Sequence, residues 1–140
     1  MIWLFGLAAS AATLTGTIMG ADATPMPETE VLAINTRLQA IRTHTSADGR
    51  FSFPMLPNGR YRVMAIPQSN DPHTPRYYPG VLNYCEGDVL TLGSVPIDVE
   101  LTLPIGEQIS GSLLDTDSQP IPGARVRAHT ASGAGSREAW

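Results

Sequence analysis

Residues 48–63, which read DGRFSFPMLPNGRYRV, decide the fold class of this chain of 140 residues. They contain two turn signals, Asp48-Gly49 and Leu56-Pro57-Asn58-Gly59. Gly49 and Gly59 can adopt the positive φ that tight turns require, and Pro57 presets the first dihedral angle of a turn. We therefore predict two turns, and we expect Asp48-Gly49 to connect the strands of a β-hairpin.

Each predicted turn is followed by a run in which large apolar residues alternate with polar ones. Such alternation is typical of a strand with one buried face. We interpret Asp48 as a turn residue, because a calcium site needs several converging oxygen ligands. The side chains that we expect to point into the core are those of Phe51, Phe53, Tyr61 and Val63.

Similar short runs occur along the chain, separated by turns that its thirteen glycines and twelve prolines mark. No stretch of a dozen residues keeps a helical apolar period without a breaker. We predict an all-β fold, an antiparallel seven-stranded β-sandwich of Greek-key type. The predicted strands are Leu14–Met19, Glu30–Thr36, Leu38–Thr43, Phe51–Phe53, Tyr61–Ile66, Val89–Leu92 and Ile97–Leu103.

Composition and charge argue against several classes of function. The formal net charge is −4, only 16% of residues are charged, and the basic residues are scattered singly. Nucleic-acid binding is disfavoured because it needs a basic patch. The single cysteine, Cys85, has no second thiol for a disulfide bond or a zinc site, and we expect it to be buried or half-buried.

The first twelve residues form an uncharged apolar run that ends in small residues. Ala9-Ser10-Ala11 fits the small-residue rule for signal cleavage, so we interpret residues 1–12 as a signal-like segment and expect export. A buried first strand is an alternative interpretation. A membrane anchor is a weaker one, because a span needs about 18 apolar residues, and we expect no stable membrane span.

The chain repeats itself without a gap at an offset of 95 residues, with Leu14–Asn35 matching Ile109–Thr130. This period is close to the size of a β-sandwich domain of about 100 residues. We predict a complete sandwich over residues 13–105 and an incomplete second repeat over residues 106–140, with two strands and a flexible tail. The identical residues in the two copies are Gly16, Asp22, Pro25, Pro27, Val31 and Ala33, which recur as Gly111, Asp117, Pro120, Pro122, Val126 and Ala128.

The repeat also orients the second predicted strand. Arg125, Arg127 and His129 alternate with Val126 and Ala128 in the second copy, so the equivalent Val31 and Ala33 are expected to face the core. Leu32 and Ile34 then point away from the core. They lie either under a loop such as Pro67–Gly80 or against a neighbouring domain.

These motifs resemble the carboxypeptidase regulatory-like domain, a prealbumin-like β-sandwich. The similarity rests on Gly16-Thr17-Ile18, on Asp48-Gly49-Arg50-Phe51-Ser52-Phe53 and on Leu56-Pro57-Asn58-Gly59-Arg60-Tyr61-Arg62-Val63. It extends over about residues 14–103 and recurs in part at residues 109–130. The resemblance implies a domain without catalytic residues, present here in tandem copies.

The sequence contains no motif for catalysis, metal binding or cofactor binding. None of the histidines His44, His73 and His129 begins a zinc-peptidase motif, and no nucleophile elbow or phosphate-binding loop occurs. We therefore expect no enzyme activity and no cofactor.

The best candidate for ligand binding is an aromatic cluster formed by Arg76, Tyr77 and Tyr78, with His73 and Tyr84 nearby in sequence. Such a patch could stack against a sugar ring. The alternative is that the tyrosines pack at the rim of the sandwich, with their hydroxyl groups hydrogen-bonded.

Three hypotheses for function remain at this point. The first is a non-catalytic, exported module that serves as a structural or interaction domain of a larger cell-surface or periplasmic protein, with neighbouring repeats as its partners. The second is a carbohydrate-binding module for a polysaccharide, centred on Tyr77 and Tyr78. The third is an accessory domain of a peptidase encoded nearby.

Overall fold

The computed structural model describes residues 11–129 and residues 136–139. It divides into a first unit, which ends at Ile105, and a second unit, which begins at Gly106. The described residues contain strands and one short 3-10 turn, Tyr84–Glu86, but no α-helix. The strands are β1 (Ala11–Gly20), β2 (Glu30–Asn35), β3 (Ala40–His44), β4 (Arg50–Pro57), β5 (Gly59–Ile66), β6 (Arg76–Tyr77), β7 (Leu90–Leu92), β8 (Ile97–Leu103), β9 (Val126–His129) and β10 (Ser136–Ala139).

The first unit consists of two open sheets that enclose one core, so the prediction of an all-β, sandwich-like fold is confirmed. One sheet has the order β4-β1-β8. The other has the order β3-β2-β5, and both β6 and β7 pair with the remaining edge of β5. The inward faces of the two sheets contribute to a single cluster of buried apolar side chains, and this burial is the main stabilising term of the unit.

The predicted inward side chains lie in that core. Phe51, Phe53, Tyr61 and Val63 are each at most 4% exposed, and the rings of the two phenylalanines meet edge to face at 6.0 Å. Val31 is also fully buried, as the repeat predicts. The alternation of apolar and polar residues is therefore sufficient to find the faces of the strands.

The prediction of a hairpin at Asp48-Gly49 is wrong, although the turn itself exists. Gly49 has a φ of +75°, and its amide donates to the carbonyl of Ser46 at 3.0 Å. However, β3 pairs with β2, whereas β4 pairs with β1 in the other sheet. The turn thus carries the chain from one sheet to the other, because a turn motif specifies local reversal and not the partner of the next strand.

The strand count and the strand directions also need correction. The first unit has eight strands instead of seven, because the two-residue β6 is too short to leave a periodic signal. The pairing of β1 with β8 is parallel, so the unit is not purely antiparallel. Apolar alternation reveals which face of β8 is buried, but it is the same for either strand direction.

The beginning of the domain also differs from the prediction. Ala11 and Ala12, which we assigned to the signal-like segment, belong to β1, and Ala12 is buried in the core. Residues 1–10 lie outside the described part of the chain, so the signal-like interpretation remains a prediction for them. Among the described residues, no helix is long and apolar enough to span a membrane.

The second turn motif connects β4 to β5 across the sandwich. The hydroxyl of Tyr61 donates to the carbonyl of Pro57 at 2.6 Å, four residues upstream. This bond satisfies the polar end of a ring that is otherwise buried, as in the tyrosine corner of other sandwiches. Burial raises the pKa of Tyr61 above its usual value, so the phenol remains a donor at neutral pH.

The second unit reproduces part of the first in its backbone geometry. The amide of Met26 donates to the carbonyl of Ile18, and 95 residues later the amide of Ile121 donates to the carbonyl of Leu113. The positive φ of Ala23, 60°, recurs as 61° at Ser118. In both units this turn precedes a strand, β2 or β9, and each of these strands pairs antiparallel with the next. The turn that precedes β2 therefore recurs before β9.

The predicted flexible tail, residues 131–140, is described only in part. Residues 130–135 and residue 140 lie outside the described part of the chain. Residues 136–139 form β10, which pairs with β9. The flexibility of this tail stays a prediction.

Gly16 lies where β1 is closest to its neighbours. A Cβ atom at this position would be 2.4 Å from the carbonyl oxygen of Val99 and 2.6 Å from the ring of Phe51. Gly111 is the equivalent residue of the second unit, and a Cβ atom there would meet nothing within 4 Å. The two glycines thus share a sequence position but differ in what surrounds them.

This difference predicts opposite results for a matched pair of substitutions. Gly16→Ala is expected to lower the free energy of unfolding of the full chain by roughly 1–3 kcal/mol, because the methyl group overpacks the core. Gly111→Ala is expected to change it by less than about 0.5 kcal/mol. Urea denaturation followed by far-UV circular dichroism measures the free energy of unfolding of both variants. Equal losses in the two variants would contradict the described packing.

Candidate binding surface

The outer face of the five-stranded sheet is covered by residues 77–88, here called the covering loop. The amide of Tyr78 donates to the carbonyl of Val63 in β5, and the amide of Asp88 donates to the carbonyl of Tyr78, at 2.8 and 3.0 Å. Between these two anchors the chain forms the 3-10 turn Tyr84–Glu86. The loop is thus hydrogen-bonded to the sheet and to itself.

One side-chain cluster holds the covering loop against the sheet. The guanidinium group of Arg62 stacks on the ring of Tyr84 at 4.4 Å, and its Nε donates to the carbonyl of Gly87 at 3.1 Å. The ring of Tyr77 meets that of Tyr84 edge to face at 5.9 Å. Stacking of this kind contributes about 0.5–1 kcal/mol at an exposed site. We refer to Arg62, Tyr77 and Tyr84 as the Arg62 cluster.

The structure separates the residues that the sequence suggested for ligand binding. Tyr77 belongs to the Arg62 cluster, whereas Tyr78 packs against the hydrophobic core of the sandwich. Arg76 donates from Nη1 to the carbonyl of Pro75 at 3.0 Å. Adjacent residues of an extended segment point to opposite sides, so Tyr77 and Tyr78 do not form one flat platform.

Arg62 is a partner of the tyrosines that the sequence did not predict. It is fifteen residues from Tyr77 and lies on the neighbouring strand, so no local pattern connects the two. Sheet pairing brings them together, because Met64 of β5 lies opposite Tyr77 of β6.

Cys85 lies in the covering loop and is exposed, so the expectation that it is buried or half-buried was wrong. The loop presents this side chain to solvent while Tyr84 packs against Arg62.

The burial of Leu32 bears on whether this residue lies under a loop or against a neighbouring domain. Leu32 is only 8% exposed although it lies outside the core cluster. The hydroxyl of Tyr84 in the covering loop donates to the carbonyl of Asn35 in the same strand, at 3.4 Å. The covering loop thus reaches the end of β2, and the burial of Leu32 agrees with the interpretation that a loop lies over it.

A second polar cluster anchors the segment before β6. The side chain of Asp71 accepts from the backbone amide of His73 at 2.8 Å and contacts its ring Nδ1 at 2.6 Å. The backbone amide of His73 is the main cause that lowers the pKa of Asp71 below its usual value, and the His73 side chain adds to it. The other ring nitrogen, Nε2, is buried without a hydrogen-bond partner among the described residues.

Two polar grooves lie on the surface of the first unit. One, of about 450 Å³, lies at the crossing from β3 to β4 and is lined by residues that include Thr15, His44, Ser46 and Arg50. The other, of about 400 Å³, includes Asn35, Arg37, Arg60 and the edge of Tyr61. Within the described residues, no group of three histidine, cysteine or acidic side chains could hold a metal ion.

Comparison with known families agrees with this architecture. The family model of the carboxypeptidase regulatory-like domain matches residues 13–81. Residues 13–81 belong to the carboxypeptidase regulatory-like domain family. A search of curated proteins found no significant match for this chain.

Several solved structures are similar to this chain. A protein of Pseudomonas aeruginosa described as a candidate carbohydrate binding protein is 16% identical, with a TM-score of 0.42, over 67% of this chain and 89% of that one. The Bacillus anthracis TIE protein is 17% identical, with a TM-score of 0.49, over 94% of this chain and 23% of that one. A 5-hydroxyisourate hydrolase of Klebsiella pneumoniae is 18% identical, with a TM-score of 0.44, over 72% of this chain and 94% of that one.

The Arg62 cluster predicts a local effect in this carboxypeptidase regulatory-like domain. Arg62→Ala is expected to speed the exchange of the covering-loop amides, such as that of Asp88, by roughly three- to tenfold, because the loop loses its stacked partner. Arg60→Ala, on the same strand, is the control. Hydrogen exchange followed by mass spectrometry makes the comparison, and loop protection that survives Arg62→Ala would refute this role of the stacking.

The Asp71 cluster predicts a dependence of stability on pH. Because the pKa of Asp71 is lower in the folded state than the usual 3.8, its contribution is complete above pH 3.8 and is lost as the pH falls through the lowered value. Asp71→Asn is therefore expected to destabilise the chain at neutral pH and to flatten its acid unfolding curve. Thermal unfolding between pH 2 and pH 7 tests this, with Asp88→Asn as the control; parallel curves would contradict it.

Proposed function

We propose that this chain is a non-catalytic module that acts as a structural or interaction domain of a larger exported protein, with carboxypeptidase regulatory-like domains in tandem. The observation that carries the proposal is the recurrence of the same turn in both units. Three backbone hydrogen bonds of the first turn recur 95 residues later between the equivalent donors and acceptors. A single sandwich domain does not need a second copy of its first turn, whereas an array of domains does.

The side chains of the first unit support a structural role. The Arg62 cluster holds a loop against a sheet, Tyr61 caps a turn, and the histidine of the Asp71 pair anchors a segment. Each of these side chains makes at least one polar contact within the fold. The two surface grooves combine threonine, serine, amide and arginine side chains with aromatic ones.

The start of β1 is compatible with export. Cleavage after Ala9-Ser10-Ala11 would leave Ala12 as the first residue, and Ala12 is the first core position of β1. Processing there would remove the apolar run and leave in place every core side chain of the described residues. The mature domain would thus begin at the second residue of β1.

The test uses the native protein from the source cells. An antibody raised against the first unit is expected to detect an exported polypeptide larger than 15.0 kDa, the mass of this chain, and sequencing of its N-terminus is expected to begin at Ala12 or after a longer leader. A 15.0 kDa protein that retains Met1 in the cytoplasmic fraction would overturn the proposal. Binding of a polysaccharide that is lost in Tyr77→Ala would replace the structural role with sugar recognition.

A further inference from the structure

One of the two surface grooves of the first unit carries arginine side chains that the fold itself does not use. This groove, of about 400 Å³, lies between the β2–β3 turn and the β4–β5 turn, and we call it the arginine groove. The polar side chains that define it are those of Asn35, Thr36, Arg37, Gln39, Asn58 and Arg60. The described residues that line it include no aspartate or glutamate. The groove is therefore locally positive on a chain whose formal net charge is −4.

Arg37 and Arg60 differ from other arginines of the first unit in having no partner. Arg50, which lines the other groove, forms an ion pair with Asp98 at 3.2 Å, and Arg62 stacks within the Arg62 cluster. Among the residues that the structure describes, no hydrogen bond or ion pair engages the guanidinium group of Arg37 or Arg60. A guanidinium group binds a carboxylate through two parallel hydrogen bonds. Two such unpaired groups on one groove therefore favour an anionic ligand.

The backbone beside the arginine groove is already paired, which argues against an extended peptide as the ligand. The amides of Arg37 and Gln39 both donate to the side-chain oxygen of Asn35, at 2.9 and 3.0 Å, and the amide of Leu38 donates to the carbonyl of Asn35. On the other side of the groove, the start of β5 has β2 along one edge and β7 along the other. A peptide that adds a strand needs an unpaired edge, so recognition in this groove falls to side chains.

The other side chains of the groove suit the hydroxyl groups of a sugar. The amide of Asn58 and the hydroxyl of Thr36 can each donate and accept a hydrogen bond. The ring of Tyr61 is only 4% exposed, so the groove has no aromatic face on which a neutral sugar could stack. Affinity in the groove therefore depends on charge as well as on hydroxyl contacts.

We propose that the arginine groove binds a saccharide that carries an isolated carboxylate, a uronic acid residue in an otherwise neutral glycan. Arg37 and Arg60 bind the carboxylate, and Thr36 and Asn58 bind ring hydroxyls. A long polyanion is disfavoured, because the acidic residues outside the groove repel it. The inference goes beyond the proposed function, since the recurring turn that supports that function is not part of this groove.

The test titrates the full chain with two matched trisaccharides and follows its backbone amides by nuclear magnetic resonance. One trisaccharide carries glucuronate at its non-reducing end, and the other carries glucose there. The acidic trisaccharide is expected to shift the amides of residues 36–39 and 58–60. The neutral trisaccharide is expected to bind at least ~10-fold more weakly, because it lacks the group that the arginines bind.

Substitutions of the two arginines locate the binding site. Arg37→Ala and Arg60→Ala are each expected to weaken binding of the acidic trisaccharide by about tenfold and to leave thermal unfolding unchanged, because neither guanidinium group has a partner in the fold. If Arg60→Ala does alter unfolding, Arg60→Gln replaces it and is expected to give the same loss. Arg42→Ala is the matched control, because this exposed arginine forms an ion pair with Glu30. Tyr77→Ala, in the Arg62 cluster, is also expected to keep binding.

Three results would overturn the inference. The first is an acidic trisaccharide that shifts no amide of the groove at concentrations up to ~10 mM. The second is equal affinity for the two trisaccharides, or affinity for the acidic one that survives both arginine substitutions. The third is a tetra-aspartate peptide that binds more tightly through the same arginines, since the ligand would then be an acidic peptide. The mass and location of the native protein test the proposed function separately from each of these results.

Discussion

The close packing of the Val99 backbone and the Phe51 ring against Gly16 is the constraint on which the first unit depends. β1 has β4 on one side and β8 on the other, and the ring of Phe51 fills the space that a side chain at position 16 would need. With this contact in place, the apolar residues of all three strands face the second sheet. The core, the two crossings between sheets and the position of the covering loop follow from that arrangement.

The sequence was sufficient to predict most of the strands, their buried faces and the family. Strand periodicity depends only on which side chains leave water, and Phe51, Tyr61 and Val31 behave as the alternation indicates. The pairing of strands could not be predicted in the same way. Asp48-Gly49 forms its turn, but the choice of β1 over β3 as the partner of β4 is made by the packing of the whole sandwich.

The candidate binding residues show the same limit. Tyr77 and Tyr78 are neighbours in sequence, but the sheet separates them and brings Tyr77 to Arg62 and Tyr84 instead. Side-chain clusters of this kind join elements that are far apart in sequence, so local patterns do not reveal them. In this domain the Arg62 cluster holds the covering loop against the sheet. This contact supports a structural role for Tyr77, which the sequence suggested for ligand binding.

The internal repeat relates the two units, and the tandem arrangement proposed for them predicts that they differ in stability. Native-state hydrogen exchange of the full chain tests this most directly, because the two units supply matched amides in one sample. The account predicts that the amides of Leu14 to Ile18 exchange only through global unfolding, and that those of Ile109 to Leu113 exchange almost freely. Equal protection of the two segments in a monomer would contradict it.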